Sequence, residues 1–365
     1  MSFASAKLAG AAIACRTLRR EILEFSFDYP LWTDDAAGSR DSLHYYLFSD
    51  RLAWAAMRMD AAGVPQTWTR ATGTNYWPGY IAWYGLVQLG QHLRGNGSHH
   101  LDNFLRQVDW LEKHAIRRDD GAVVWVMNFD NPENGVVMRA PWVSAHAQGL
   151  AISAIVRGWR VTKRPHLLEL LKDSARIFDL DVSEGGIRTL SNGKVFYTEL
   201  PGGSVPGILD GFMTSLLGLY DLSVETKEPH IANLFTAGME GLKGLLHYWD
   251  YRNIWSWYGL HENLCTSAYH CLNRVLLSVL GRLTADQNLI DHAEGWNPAN
   301  FSQLDRVRIY SIILLTKNNA RLRHRTWLFK TLPDDARLSN AVPQARCVHQ
   351  TDLAPGAATK AETEV

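Results

Sequence analysis

Apolar residues recur at helical spacing along most of the chain from residue 74 onward. The clearest example is 231–248, where intervals of three and four separate Ile231, Leu234, Gly238, Leu242 and Leu245. Such spacing places apolar side chains on one face of a helix. The same pattern predicts further helices over 78–93, 101–114, 142–162, 166–180, 208–222, 266–283, 305–317 and 321–332.

Other segments have weaker patterns. Alternation over 119–130 predicts a short hairpin with its turn at 119–121, and 61–64 predicts a turn. Residues 16–25 are compatible with a helix, and 45–59 with either a strand or a helix. We therefore divide the chain into an N-terminal region of mixed structure over 1–70, a helical domain over 71–335, and a small, polar and disordered tail over 336–365.

Successive predicted helices differ in character. The 142–159 segment has small residues on more than one face, whereas 166–180 has one charged face. These patterns are typical of a crowded inner helix and of an outer helix. The predicted fold is therefore mainly α: an (α/α) toroid, or barrel, of antiparallel helical hairpins, with a cleft at the end where the loops meet. No exact sequence repeat is present, which disfavours a regular solenoid.

Composition narrows the function classes. The 365 residues include 37 basic and 37 acidic side chains, so no overall charge attracts nucleic acid. The four cysteines lack close pairing and predict no zinc site or disulfide framework, which favours a cytoplasmic location. The apolar run at 8–15 is too short to span a membrane, and we expect no spanning segment, metal or cofactor. The 14 tryptophans weakly favour a carbohydrate ligand.

Four clusters hold the candidate functional side chains. Each cluster also has an ordinary structural interpretation, because aromatic and histidine side chains more often pack in the core than take part in a functional site. Glu199 stands out because a loop rich in glycine and proline places it just ahead of a strongly patterned helix. The other candidates are Trp77 and Tyr84; Arg139, His146 and Gln148; and Tyr258, His261, Tyr269 and His270.

Taken in order, the clusters resemble the D-glucuronyl C5-epimerase family. The matching stretches run from NYWPGYIAWYGL at 75–86, through PWVSAHAQGLAISAIVRGWRVT at 141–162, to TELPGGSVPGILDGFMTSLLGLYDL at 198–222. WSWYGL at 255–260 and AYH at 268–270 follow. Each stretch alone is a weak signal, but five in the family's order are fairly specific. The resemblance covers about residues 45–296 and corresponds to the family's C-terminal catalytic domain, an (α/α) toroid.

The resemblance implies an isomerase that converts glucuronate to iduronate within a heparosan- or heparan-like polymer. C5 epimerisation removes the proton next to the carboxylate and returns one to the opposite face, so two acid/base groups must flank C5. By resemblance, Glu199 and Tyr269 take the two faces and Tyr258 assists. It also implies substrate contacts for His270, His261, His146, Gln148, Arg139, Trp77 and Tyr84, and a homodimer.

Three positions depart from the family pattern. Leu200 stands where the family usually has a tyrosine, Asp210 where it has asparagine, and His146 where it has methionine. A leucine cannot relay a proton, whereas His146 supplies a polar group from another helix. Two alternatives therefore stay open: a toroidal polysaccharide lyase, which begins with the same proton abstraction, and a non-catalytic glycan-binding homologue.

Overall fold

In the computed structural model, the described residues are 43, 58–69, 72–133, 136–203, 206–259 and 263–324. Within these ranges the chain is mainly helical, with nine α-helices and short strands between them. The helices are α1 (Pro78–Leu93), α2 (His99–Lys113), α3 (Ala145–Thr162), α4 (Pro165–Ser174), α5 (Leu209–Thr226), α6 (Pro229–Leu245), α7 (Ser267–Thr284), α8 (Gln287–Gly295) and α9 (Gln303–His324).

Local sequence explains where these helices begin and end. A proline occupies the first turn of α1, α4 and α6, a position at which its missing N–H costs no hydrogen bond. Helices α3, α5 and α7 each end at a residue in the left-handed conformation: Lys163, Lys227 and Ala285, with φ of 56°, 54° and 54°. The chain therefore reverses after each of these three helices.

The helices pack as four sequential hairpins, α1 with α2, α3 with α4, α5 with α6, and α7 with α8. The first helices of the four hairpins also pack on one another, in the order α1, α3, α5, α7. Gly149 meets Ser215 and, further along both helices, Arg157 meets Asp221, so α3 and α5 run in the same direction. The starts of α3 and α5 thus lie at the same end of the row.

Helices α3 and α5 approach each other unusually closely. A Cβ atom at Gly149 would lie 2.5 Å from the Ser215 Cα, and one at Gly218 would lie 2.6 Å from the Gly149 Cα. Near the other end, Arg157 Nη1 lies 2.6 Å from the Asp221 carboxylate, with both side chains buried. Gly149, one of the small residues that predicted an inner helix, and Gly218 of α5 therefore allow the two helices to touch.

The strands form small antiparallel sheets. In the first, β2 (Pro65–Thr69) lies between β1 (Arg58–Met59) and β3 (Gly73–Asn75). The two-stranded pairs are β4 (Ile116–Arg117) with β5 (Val123–Val124), β6 (Val126–Met127) with β9 (Trp142–Val143), β7 (Asn131–Glu133) with β8 (Val136–Met138), β10 (Arg188–Ser191) with β11 (Lys194–Tyr197), and β12 (Asp250–Tyr251) with β13 (Trp255–Ser256).

Most predicted helices are confirmed with small shifts of their ends, but three local predictions were wrong. Residues Trp142–Val143 form strand β9 rather than the start of a helix, because they pair with Val126–Met127. The hairpin near 119–121 is built from β4 and β5, so its second strand ends at Val124 rather than near 130. One helix, α9, replaces the two predicted over 305–332, as far as His324.

The predicted toroid arrangement is not confirmed, and the described helices form no closed barrel. The described helices are the mainly α hairpins that were expected, but α1 and α7, at the two ends of the row, do not pack extensively on each other. No helix in the described ranges is both long and apolar enough to cross a membrane. The predicted helix at 16–25 and the tail at 336–365 lie outside the described residues.

Candidate active site

The loop that carries Glu199 is fixed at its start. It follows β11, where the Thr198 N–H donates to the Ile187 carbonyl at 2.8 Å. The Thr198 carbonyl accepts from the Ala145 N–H, at the first residue of α3, at 3.0 Å. Backbone hydrogen bonds therefore hold the residue before Glu199 against the start of α3, so that Glu199 emerges from a rigid position.

Glu199 lies directly over the first turn of α5. A Cβ atom built on Gly211 would be 2.1 Å from Glu199 Oε2 and 2.7 Å from Glu199 Cβ. Glu199 Oε2 is buried, although the residue as a whole is partly exposed. Only glycine at position 211 leaves room for the carboxylate in this position.

Tyr258 and Tyr269 form an edge-to-face pair. Their ring centroids are 5.2 Å apart and their planes meet at 69°. Tyr258 lies in the loop after β13, where its N–H donates to the Asn263 carbonyl at 2.9 Å. Tyr269 is in the first turn of α7 and is 38% exposed. The two tyrosines, eleven positions apart in sequence, thus form one unit at the start of α7.

The tyrosine loop meets the segment that leads into α5. The Trp249 Nε1 donates to the Gly207 carbonyl at 2.8 Å, and the Trp257 N–H donates to the Trp249 carbonyl at 2.8 Å. A Cβ atom on Gly259, next to Tyr258, would lie 3.6 Å from the same Gly207 carbonyl. Glu199 and the tyrosine pair are therefore attached to opposite ends of the short 207–211 segment.

A second carboxyl group occupies the same segment. Asp210, in the first turn of α5, is 6% exposed, and its Oδ1 has no hydrogen-bond partner within the described ranges. Burial raises the pKa of Asp210 to about 7, although hydrogen bonds from the backbone N–H groups of Asp210 and Gly211 act to lower it. The sequence signal was the acidic residue beside Gly211, but its burial was not predictable.

Two neutral nitrogen groups lie at the starts of α1 and α3. His146 is 6% exposed, and burial lowers its pKa to about 4, so its ring is uncharged at neutral pH. A Cβ atom on Gly79, in the first turn of α1, would lie 3.3 Å from His146 Nδ1. In the described part of the chain, neither His146 Nδ1 nor the buried Trp77 Nε1 has a hydrogen-bond partner.

Leu200, next to Glu199, packs into an apolar cluster. We call this the Trp142 cluster; its buried members are Met127, Phe129, Met138, Trp142 and Ala147, with Trp77 and Leu200 partly buried against it. The Trp77 ring lies 5.5 Å from Phe129 and 5.9 Å from Trp142 between centroids. Where the family usually has a tyrosine, this chain therefore places an apolar contact that holds the Glu199 loop.

Two predicted substrate contacts lie in the core instead. The Gln148 amide nitrogen donates to the Val123 and Ser174 carbonyls at 2.8 and 3.0 Å, and Gln148 is fully buried. His270 is also fully buried, stacks on Trp255 at 3.7 Å, and lies 2.8 Å from the Trp296 carbonyl through Nε2. Burial lowers the pKa of His270 to about 3. Their polar groups connect secondary-structure elements and are not available to a polymer.

The remaining candidates lie elsewhere. Arg139 forms an ion pair with Asp130 at 2.5 Å and so holds the base of the β7–β8 hairpin. Tyr84 is half-buried beside Arg106 of α2; burial raises the pKa of Tyr84 and the Arg106 charge acts to lower it. His261 lies outside the described residues. The structure thus brings Glu199, Tyr258 and Tyr269 towards one region, with Trp77 and His146 at the starts of neighbouring helices.

A separate charged cavity of about 410 Å³ lies between α4 and α6. Its side chains already pair with one another: Lys172 with Glu169 and Glu228, Arg176 with Asp173, and His230 with Asp179. Such exposed pairs contribute little energy, and the four carboxylates that line the cavity outnumber its two cations, Lys172 and Arg176. This cavity is therefore not a competing candidate for an anionic ligand.

Comparison with known proteins gives one family. The model of the D-glucuronyl C5-epimerase C-terminus matches residues 118–298. The D-glucuronyl C5-epimerase of Caenorhabditis elegans is 28% identical over 236 residues, which is 59% of this chain and 38% of that protein. An uncharacterized protein of Methanocaldococcus jannaschii is 24% identical over 196 residues, which is 53% of this chain and 63% of that protein.

The chain therefore spans less than two thirds of the length of either relative. Among solved structures, a D-mannose isomerase aligns over 74% of this chain and 85% of its own, with 12% identity and a TM-score of 0.37. That score is too low to assign a fold. The family match includes Arg139, His146, Glu199, Tyr258 and Tyr269, whereas Trp77 and Tyr84 precede it.

Proposed function

Since this chain belongs, through residues 118–298, to the D-glucuronyl C5-epimerase family, we propose that it inverts C5 of glucuronate residues in an anionic polysaccharide. The predicted class, an isomerase of the epimerase type, agrees with that family. The product is iduronate, which differs from glucuronate only in the configuration at C5. No bond of the polymer backbone is broken.

In the proposed reaction, the Glu199 carboxylate takes the C5 proton. The electron pair of the C–H bond is delocalised into the adjacent uronate carboxylate, giving an enediolate. The Tyr269 hydroxyl then gives its proton to C5 on the opposite face. Solvent exchange, assisted by Tyr258, returns the proton to Tyr269 and removes the one on Glu199, so that both groups regain their starting state.

The enediolate carries two negative charges and needs hydrogen-bond donors fixed in advance. We assign this role to the N–H groups of Trp77 and His146. Both side chains lie at the starts of α1 and α3, and each has a buried nitrogen atom, Trp77 Nε1 and His146 Nδ1, that no described group satisfies. Because both donors are uncharged, they stabilise the negative charge that develops in the enediolate and require no ion pair in the resting protein.

The observation that carries the proposal is the joint attachment of the acid/base groups to residues 207–211. Glu199 covers Gly211, and the loop of Tyr258 lies against Gly207, while Tyr258 pairs with Tyr269 at 5.2 Å between ring centroids. A carboxylate and a phenol held by one rigid segment meet the need for two groups on either side of C5.

Finer features extend the proposal. We propose that the polymer is heparosan or a related heparan-type chain, that the row α1, α3, α5, α7 is part of an (α/α) toroid, and that the protein is a homodimer. A cytoplasmic location and the division at residues 70 and 335 stay predictions. The family match and the Caenorhabditis elegans relative support a uronate epimerase only at the level of the family.

One observation favours a non-catalytic alternative, in which the protein binds the glycan without turning it over. Leu200 fills an apolar cluster where a hydroxyl is usual in the family, so one proton-relaying group is missing next to Glu199. This alternative predicts polymer binding without any exchange of the C5 hydrogen.

Incubation with heparosan in deuterium oxide tests the proposal. The expected result is deuterium at C5 by NMR together with iduronate signals. Absence of deuterium from both heparosan and its N-sulfated form would contradict the proposal. A rise in ultraviolet absorbance from an unsaturated uronate would instead identify a lyase, which expels the C4 substituent after the same proton abstraction.

A further inference from the structure

The proposed reaction leaves one buried titratable group of the site unused, the carboxyl of Asp210. It lies in the first turn of α5, is 6% exposed, and forms no ion pair within the described ranges. A buried carboxylate without a charged partner is costly, and proteins avoid this cost by keeping such a group protonated.

Asp210 and Glu199 flank the same backbone unit. Since a Cβ on Gly211 would lie 2.1 Å from Glu199 Oε2, that oxygen lies within about 4 Å of the Gly211 Cα. The Gly211 N–H acts on the Asp210 carboxyl by hydrogen bonding. The two carboxyl groups therefore share a buried environment, in which ionisation of one opposes ionisation of the other.

We propose that Asp210 is uncharged while Glu199 carries its negative charge, and that ionisation of Asp210 weakens the binding of an anionic sugar at this site. The inference rests on the proposed function for its substrate. In its protonated form, Asp210 leaves Glu199 as the single negative charge that meets the uronate. Once ionised, it adds a second negative charge beside the substrate carboxylate, which lowers affinity for the polymer.

Other titratable groups lie on the elements that surround the start of α5. They are Glu199 in the preceding loop, His146 at the start of α3, Tyr258 in the loop after β13, and Tyr269 at the start of α7. His146 stays neutral at and above neutral pH, because burial lowers its pKa to about 4. The raised pKa of Asp210, about 7, places its ionisation between pH 6 and 8.5.

Binding of a heparosan oligosaccharide, measured by calorimetry at pH 6 and pH 8.5, tests this inference. For the native protein we expect Kd to rise by about tenfold, as expected for one like charge at roughly 8–10 Å in a partly buried site. Asp210→Asn should keep the pH 6 affinity at both pH values. The uronate carboxylate is ionised throughout, so it contributes no pH dependence.

The control is Asp102→Asn, which removes a negative charge from the exposed first turn of α2. It should show the same rise in Kd as the native protein, since exposed histidines titrate equally in both. A native Kd that does not change with pH, or an equal rise in Asp210→Asn, would overturn the inference.

Carboxyl titration by ¹³C NMR separates this inference from the proposed function, because it needs neither substrate nor activity. The Asp210 signal should titrate near pH 7 in the native protein, and its midpoint should be lower in Glu199→Gln. If the oligosaccharide does not bind at any pH, the proposed function fails. The NMR titration then shows by itself whether the Asp210 and Glu199 carboxyl groups interact. An Asp210 midpoint near 4 in the native protein would overturn the pairing, even if Asp210→Asn does not fold.

Discussion

Glu199 and Gly211 are in such close contact that no larger residue fits at position 211: a Cβ there would lie 2.1 Å from Glu199 Oε2. The contact joins a loop to the first turn of α5. The shape of this contact limits where the carboxylate can lie. The position of this carboxylate affects the reaction rate, because a displacement of a catalytic group by about 1 Å can lower the rate about 100-fold.

Gly211→Ala should therefore displace Glu199 and lower the rate of C5 exchange by at least 100-fold, as measured by deuterium incorporation. Gly244→Ala is the matched control, because Gly244 lies in α6 and its added Cβ would meet only the flexible Lys194 side chain, at 3.2 Å. Gly244→Ala should keep full activity. Unchanged activity of Gly211→Ala would show that the carboxylate position does not matter.

Leu200→Ala should destabilise the protein by about 2 kcal/mol, because it removes a partly buried side chain from the Trp142 cluster. Leu304→Ala removes the same atoms from a residue that is 78% exposed and should change stability by less than about 0.5 kcal/mol. Denaturant unfolding of the two variants measures the difference. Equal stability of the two variants would exclude a packing role for Leu200.

Gln148→Ala should lower stability by about 2–4 kcal/mol, since it leaves the Val123 and Ser174 carbonyls without their donor in the core. The KM for the polymer should stay unchanged in the folded variant, because Gln148 is fully buried. Thermal unfolding and steady-state kinetics measure the two quantities. A raised KM at native stability would restore Gln148 to the substrate site.

Stability should depend on pH through Asp210. Its folded pKa, about 7, is raised above the ordinary value of 3.8, so the stabilisation is fully present below about pH 4 and is lost as pH rises through about 7. The maximum loss is about 4 kcal/mol. We expect the free energy of unfolding of Asp210→Asn, relative to the native protein, to increase between pH 4 and pH 8. A difference that does not change over this range would contradict burial as the cause of the raised pKa.

Periodicity predicted the helices well because each has an apolar face whose spacing is visible in the sequence. Small residues in 142–159 likewise predicted the close contact that Gly149 makes with α5. The sequence did not separate β9 from α3, because Trp142 and Val143 are apolar in either element. It also could not show that Gln148 and His270 bond backbone carbonyls, since those acceptors lie 25 or more positions away.

The candidate site was likewise predictable only where its residues could be identified within one segment of the sequence. The family resemblance selected Glu199, Tyr258 and Tyr269 by motif, and the structure places Tyr258 against Tyr269. The role of Leu200 in the Trp142 cluster and the burial of Asp210 depend on segments that meet only after folding. Pattern within one segment is visible in the sequence, whereas contacts between distant segments are not.

The most direct test of the account compares Glu199→Gln with Glu240→Gln, an exposed change of the same type on α6, in deuterium oxide with heparosan. Both variants should keep the native fold by circular dichroism. Glu240→Gln should introduce deuterium at C5 at the native rate, whereas Glu199→Gln should introduce none. Deuterium incorporation by folded Glu199→Gln at the native rate would contradict the assignment of Glu199 as the base.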